Sequence, residues 1–193
     1  MQETYPLALG LNACRMLGID PIDMLRQAGL GDLDPKQAAL GVTAIQYVAA
    51  WDAMVCLAGR DDLPSQLGIA IARGPIVPVF LALDCAPDLE QGLRRITRYK
   101  SLIGPTRMHV FGDDAELTVE YDSSIPGLDL SASILALYLA FVVEKARLMT
   151  ARPRFVGGDG TGSRTTTCRA IPHQQHVRQG FKRAADTTAV GQS

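Results

Sequence analysis

LGIAIARGPIVPVFLALDCAPDLEQGLRRITRYKSLIGP, from Leu67 to Pro105, carries the densest ordered pattern in the chain. Leu63 to Ala72 reads as a helix that ends at Arg73-Gly74. Pro75 and Pro78 break the backbone, and Pro78 can open a short helix to Leu83 that is apolar on nearly every face. Pro87 starts a third helix with the stripe Leu89, Leu93, Ile96 and Ile103, flanked by Tyr99 and Leu102. Asp88 and Glu90 in its first turn, and Arg94, Arg95, Arg98 and Lys100 in its later turns, match the helix dipole. Gly104-Pro105 stops it. The basic run is read as a solvated helix face rather than an anion site.

Downstream the period changes from helical to two. Met108 and Val110 alternate with Arg107 and His109; after Gly112-Asp113-Asp114, Leu117, Val119 and Tyr121 alternate with Glu116, Thr118 and Glu120. This predicts a β-hairpin over about 106–122 with one buried face, packed on helices or paired with a further strand. A long helix is expected over about 126–151, apolar all round from Ile134 to Val143 and so buried in a core or an oligomer interface. Residues 157–193 lack a lasting periodic pattern and read as a low-order polar, basic tail.

Upstream, Leu7, Leu11, Cys14 and Leu17 mark a first helix over 6–17, closed by Gly18. Asp20-Pro21 restarts a short helix burying Ile22, Met24 and Leu25. Residues 30–42 read as a loop, with Asp34-Pro35 as a turn signal. Thr43 and Gln46 form a capping box. The helix they open runs to about Ala58 with two stripes, one of Ile45, Val48, Val55 and Cys56, the other of Tyr47, Trp51 and Met54. Trp51 is expected to anchor the core.

The fold class is therefore α+β: one mainly helical domain, over residues 1–156, with a small antiparallel sheet. The 193 residues suffice for one domain with a real core, and a net charge of −1 supplies no global field for nucleic acid. The tail is locally basic, with Arg164, Arg169, Arg178, Lys182 and Arg183 against Asp159 and Asp186. Cys14, Cys56, Cys85 and Cys168 are too scattered for a disulfide framework and read as reduced, buried thiols of a cytoplasmic protein. No signal peptide and no membrane span is recognised.

Chemical motifs are sparse. Gly157-Gly158-Asp159-Gly160-Thr161 looks like the phosphate-cradling loop of lipid and NAD kinases, but Arg164-Thr165-Thr166-Thr167 stands where an apolar helix should follow. Cys168, His173 and His176 lack a fourth ligand and standard zinc spacing. His109 sits on the polar face of its strand. No catalytic residue, cofactor or metal is expected.

The ordered landmarks do carry a resemblance. Trp51, Leu67-Gly68-Ile69, Gly74-Pro75, the apolar helix 78–83, Pro87-Asp88-Leu89 and Arg98-Tyr99-Lys100 precede a hairpin and a long helix, and Asp20-Pro21 and Ala28-Gly29-Leu30 stand upstream. In this order they resemble the N-terminal arabinose-binding, effector and dimerisation domain of AraC-type helix-turn-helix transcriptional regulators. Ala86 departs from the pattern where a capping Ser is usual, leaving the first amides to Asp88. The resemblance implies a non-enzymatic sensor that binds an unknown small-molecule effector, forms a homodimer, and reaches DNA only indirectly, through a helix-turn-helix module. Residues 157–193 do not show that module, so a truncated or frame-shifted product, or a chain deliberately ended after the sensor, is expected. Tyr47, Trp51, Tyr99, Arg107 and His109 are the candidate effector-binding residues, and Ile134, Leu137, Leu139, Phe141 and Val142 the candidate dimerisation residues. The alternatives are a ligand-free interaction module that forms mixed dimers, or a phosphate-binding enzyme using the Gly157–Thr161 loop.

Overall fold

Three Asp or Thr caps set where the N-terminal helices begin. Asp20 accepts from the Ile22 amide at 2.8 Å and Asp34 from the Lys36 amide at 2.6 Å, each with Pro at the first helical position. Thr43 and Gln46 complete the capping box reciprocally, at 3.3 and 2.9 Å. The computed structural model describes residues 3–74, 78–112, 116–151 and 177–182. Over these residues run α1 (Ala8–Met16), α2 (Pro21–Gln27), α3 (Pro35–Leu40), α4 (Ala44–Ala58), α5 (Leu63–Arg73), α6 (Pro78–Asp84) and α7 (Leu89–Thr97). A 3-10 turn (Lys100–Leu102), β1 (Thr106–Gly112), β2 (Glu116–Ser123), α8 (Ala132–Ala151) and β3 (Val177–Lys182) follow.

The α+β class, the hairpin and the long buried helix stand as the sequence predicts. Several details differ. Residues 30–42 contain α3, and Tyr5 bridges Val42 just beyond it. Asp34-Pro35 therefore opens a helix, as Asp20-Pro21 does. The third central helix ends at Thr97 and tightens into the 3-10 turn before Gly104. Asp88 does cap it in place of a serine, accepting from the Gln91 amide at 2.8 Å. The long helix starts at Ala132, because 124–131 first turn through Gly127 at φ +76°. Ile22 and Ile45 are exposed, Ile45 at 72%. The Tyr47, Trp51 and Met54 face of α4 wins the core, which turns Ile45 outward. Cys14 is buried, but Cys56 and Cys85 are exposed.

β2 is the central strand of an antiparallel sheet in the order β1-β2-β3. The register pairs Met108 with Tyr121 and Val110 with Val119. Thr106, Met108, Val110, Leu117, Val119 and Tyr121 thus share one buried face. Arg107, His109 and Phe111 are exposed on the other face. Of the expected tail, only Val177–Lys182 is described; these six residues are a strand, paired from Glu116↔Lys182 to Tyr121↔Val177. The Gly157–Thr161 loop, Cys168, His173 and His176 lie outside the described residues.

The helices and the sheet make two adjoining apolar clusters. One gathers α1 to α4 around Leu7, Leu11, Tyr47, Trp51 and Met54. The other joins the inner sheet face to α6 and α7 through Phe80, Leu83, Leu93 and Ile96. α5 and α8 run through both, and Ile71 and Tyr138 touch each. Gly68 lets α5 and α8 approach closely: a Cβ there would fall on the Leu137 carbonyl and 2.9 Å from the Phe141 amide nitrogen. Two ion pairs fasten the far half of α8. Glu144, only 3% exposed at its side chain, accepts from Arg73 of α5 at 2.6 Å, and Lys145 donates to Asp84 of α6 at 2.8 Å.

Candidate functional site

Lys100 falls where the apolar stripe of α7 runs on. Leu93, Ile96, Lys100 and Ile103 recur at helical spacing, so the stripe that packs on the core carries the lysine inward. Lys100 is 3% exposed. Its Nζ stands 3.3 Å from the centre of the Tyr138 ring and 5.9 Å from that of Tyr121, two rings stacked 5.4 Å apart. The rings attract the cation through their faces, and the Tyr138 hydroxyl is the polar group that interacts with it. Gly104, next on the chain, leaves room for the Tyr138 and Tyr47 hydroxyls; a Cβ there would lie 2.9 and 3.1 Å from them. Tyr47 donates to the Ile103 carbonyl at 3.0 Å.

A cavity of about 30 Å³ lies along the seam of the two clusters. Tyr47 and Trp51 line it from one side, Phe80, Met108 and Phe141 from the other, with Lys100, Tyr121 and Tyr138 between. No carboxylate lines it among the described residues. Among the described residues, three buried polar atoms make no hydrogen bond of good geometry: Lys100 Nζ, Trp51 Nε1 and Thr106 Oγ1. Tyrosine hydroxyls are their neighbours, Tyr138 for Lys100 and Thr106 and Tyr47 for Trp51. Native interiors rarely leave such groups poorly paired, so two of them, Lys100 and Trp51, in the wall of one cavity call for an explanation.

The electrostatics follow from burial. Burial holds the Lys100 ammonium below its ordinary lysine value and pushes the Tyr47 and Tyr121 hydroxyls up. Burial also opposes ionisation of Tyr138, but the Lys100 charge and the Tyr47 and Thr106 hydroxyls around it prevail and leave it below the usual tyrosine value.

Of the effector-binding candidates, Tyr47 and Trp51 line the cavity. Tyr99 does not; it is 44% exposed, on the far side of the turn from Lys100. Arg107 and His109 point away on the outer sheet face, where the His109 ring nitrogen lies 3.1 Å and the Arg107 Nε 3.8 Å from Asp122. The sequence reading missed Lys100, Thr106, Tyr121 and Tyr138. It assigned Lys100 to a solvated basic run, which holds for Arg94, Arg95 and Arg98 alone. Among the dimerisation candidates, Ile134, Leu137, Phe141 and Val142 are buried in the chain's own core and Leu139 is half-buried. Close packing of α8 on α5 uses that face internally.

The fold has known counterparts. An H-NOX protein carrying 4-cyano-L-phenylalanine superposes with a TM-score of 0.56 over 92% of this chain and 93% of its own, at 10% identity. A second structure, from work on heme distortion in the H-NOX family, gives 0.56 over 97% and 96%, at 11% identity. At such identities the likeness is one of fold alone. No curated protein matches the chain in sequence. Among the described residues, no helix is long and apolar enough to cross a membrane. The family description "arabinose-binding domain of AraC transcription regulator, N-term" matches residues 18–157, which include α2 to α8, the hairpin and every residue named around the cavity. The chain belongs to this family of regulatory ligand-binding domains.

Proposed function

We propose that this chain is the effector-sensing part of a cytoplasmic AraC-type regulator and that its effector occupies the cavity between the two apolar clusters. The observation that carries the reading is Lys100: a buried cation with no carboxylate beside it, facing a cavity, in a family of ligand-binding domains. A cavity of about 30 Å³ holds about one or two waters, so an effector must part the seam. It therefore binds an opened arrangement better than the closed one, and that difference in affinity is what shifts the population. The shifted arrangement changes how a helix-turn-helix module is presented to DNA. Self-association belongs to the same proposal, through a surface other than Ile134, Leu137, Phe141 and Val142. A ligand-free interaction module would be better served by apolar side chains at Lys100 and Thr106.

A thermal-shift screen with amino acids, sugars, fatty acids and nucleotides tests the reading, since a ligand bound only by the folded state raises the melting temperature by mass action. A dose-dependent rise with one class is expected; no shift with any class refutes it. Sizing in solution tests the dimer, which a monomer at high concentration would rule out.

A further inference from the structure

Apart from tyrosine hydroxyls, the cavity's polar groups are donors. Lys100 Nζ offers three N–H groups and Trp51 Nε1 one. Tyr47 already spends its proton on the Ile103 carbonyl. A sugar presents hydroxyls over most of its surface and needs acceptors as well as donors; beyond Tyr121 and Tyr138 this wall is leucine, isoleucine, phenylalanine, methionine and valine. An anionic head meets every unpaired donor at once. One cation balances one negative charge, so a phosphate monoester would leave excess charge buried. The surrounding wall requires the rest of the ligand to be apolar.

Resting on the sensor reading, we infer that the effector is an amphiphilic monocarboxylate whose carboxylate pairs with Lys100 and accepts from Trp51, while its apolar body lies between the two clusters. The carboxylate supplies the negative charge that no residue of the wall provides. Its body lies between Phe80 and Phe141 on one side and Tyr47 and Trp51 on the other, which couples chain length to the width of the opened seam.

Trp51 is the chain's sole tryptophan, so its fluorescence reports on this cavity without labelling. The experiment titrates the whole chain with straight-chain monocarboxylates from butanoate to dodecanoate, phenylacetate, the matched alcohols, and L-arabinose, following Trp51 emission and melting temperature. At least one carboxylate should shift both, with its alcohol roughly tenfold to a hundredfold weaker, as for a lost charge-assisted contact. Lys100→Met should abolish that preference while still binding the alcohol. An alcohol that binds as well as its acid, a response to L-arabinose alone, or an unchanged preference in Lys100→Met overturns the monocarboxylate assignment but leaves the sensor reading standing. Silence of both signals with every compound overturns the cavity as an effector site and the assignment with it.

Discussion

Replacing Lys100 by Met should make the ligand-free protein more stable. Methionine keeps an unbranched stem of similar reach and a soft sulfur that suits the Tyr121 and Tyr138 rings, so packing is largely preserved. What disappears is an ammonium that folding takes out of water without a counter-charge or a hydrogen bond of good geometry. The effective penalty for such an ion is several kcal/mol, of which the contact with the Tyr138 ring returns about 2 kcal/mol. A net gain of about 2 kcal/mol remains, equivalent to about 4–8 °C in melting temperature for a chain of this size.

The pH dependence makes this prediction specific. Burial lowers the Lys100 pKa in the folded state, so between that value and about 10.4 the unfolded chain holds the extra proton. Wild-type stability therefore rises with pH through this window, and the penalty is present in full below it. Tyr138, held below its usual value by Lys100, has the same sign: the folded chain loses that proton first. Both effects vanish in Lys100→Met. Tyr47 and Tyr121, with raised values, lower stability above about pH 10, so the comparison is read below that pH. Urea unfolding of the two proteins at a series of pH values reads this directly. The gap should favour Lys100→Met near neutrality and narrow as pH approaches the ordinary lysine value. A variant destabilised by more than about 1 kcal/mol, or a gap that ignores pH, would refute the claim that the ammonium lacks a counter-charge.

Gly68→Ala should cost about 3 kcal/mol in urea unfolding, because the added methyl meets the backbone of α8 rather than a movable side chain; a loss under about 0.5 kcal/mol would contradict the close crossing. Asp84→Asn should cost about 2 kcal/mol by leaving Lys145 buried without its counter-charge, and adding Lys145→Met should recover most of the loss; no recovery in the double variant would mean the pair is not what Asp84 contributes. Thr43→Ala should lower stability by about 1 kcal/mol through loss of the α4 cap, measured by thermal unfolding, and an unchanged melting temperature would show that the cap is solvent-compensated.

Much of this fold is written in local signals. The caps at Asp20, Thr43 and Asp88, the glycine stop at Gly59 and the alternation from Met108 to Tyr121 each work within a few residues, and each appears where the sequence puts it. What local pattern does not carry is which of two faces wins. α4 is apolar on much of its circumference, and only the docking of Tyr47 and Trp51 against Tyr5 and the seam turns Ile45 outward. α3 was hidden by its length, six residues with one buried side chain, Ala38. β3 answers a need visible in the hairpin itself, since a two-stranded ribbon leaves an edge of unpaired backbone groups. The site was the least legible part. Lys100 sits at an inward position by spacing, but its charge and its basic neighbours suggested solvent, and nothing local places Tyr138 above it from a helix 38 positions later.

The contrast within the buried charges singles out the site. Glu144 and Lys145 are adjacent on α8 and both buried, and each is met by an opposite charge, Arg73 and Asp84. The fold thus pairs charges where they serve only to fasten helices. Lys100 and Thr106, on either side of Gly104-Pro105, are the other two buried polar side chains among the described residues; neither makes a hydrogen bond of good geometry, and no acid faces the lysine. A position that needed only volume would be filled more cheaply by methionine or leucine, and one that needed a fastening would have an acid opposite. A lysine that has neither, at a seam that two clusters share, is stable only at a cost that a bound partner can offset. That cost, set against the paired charges on α8, is why the unpaired donors are read as a binding site and not as a packing defect.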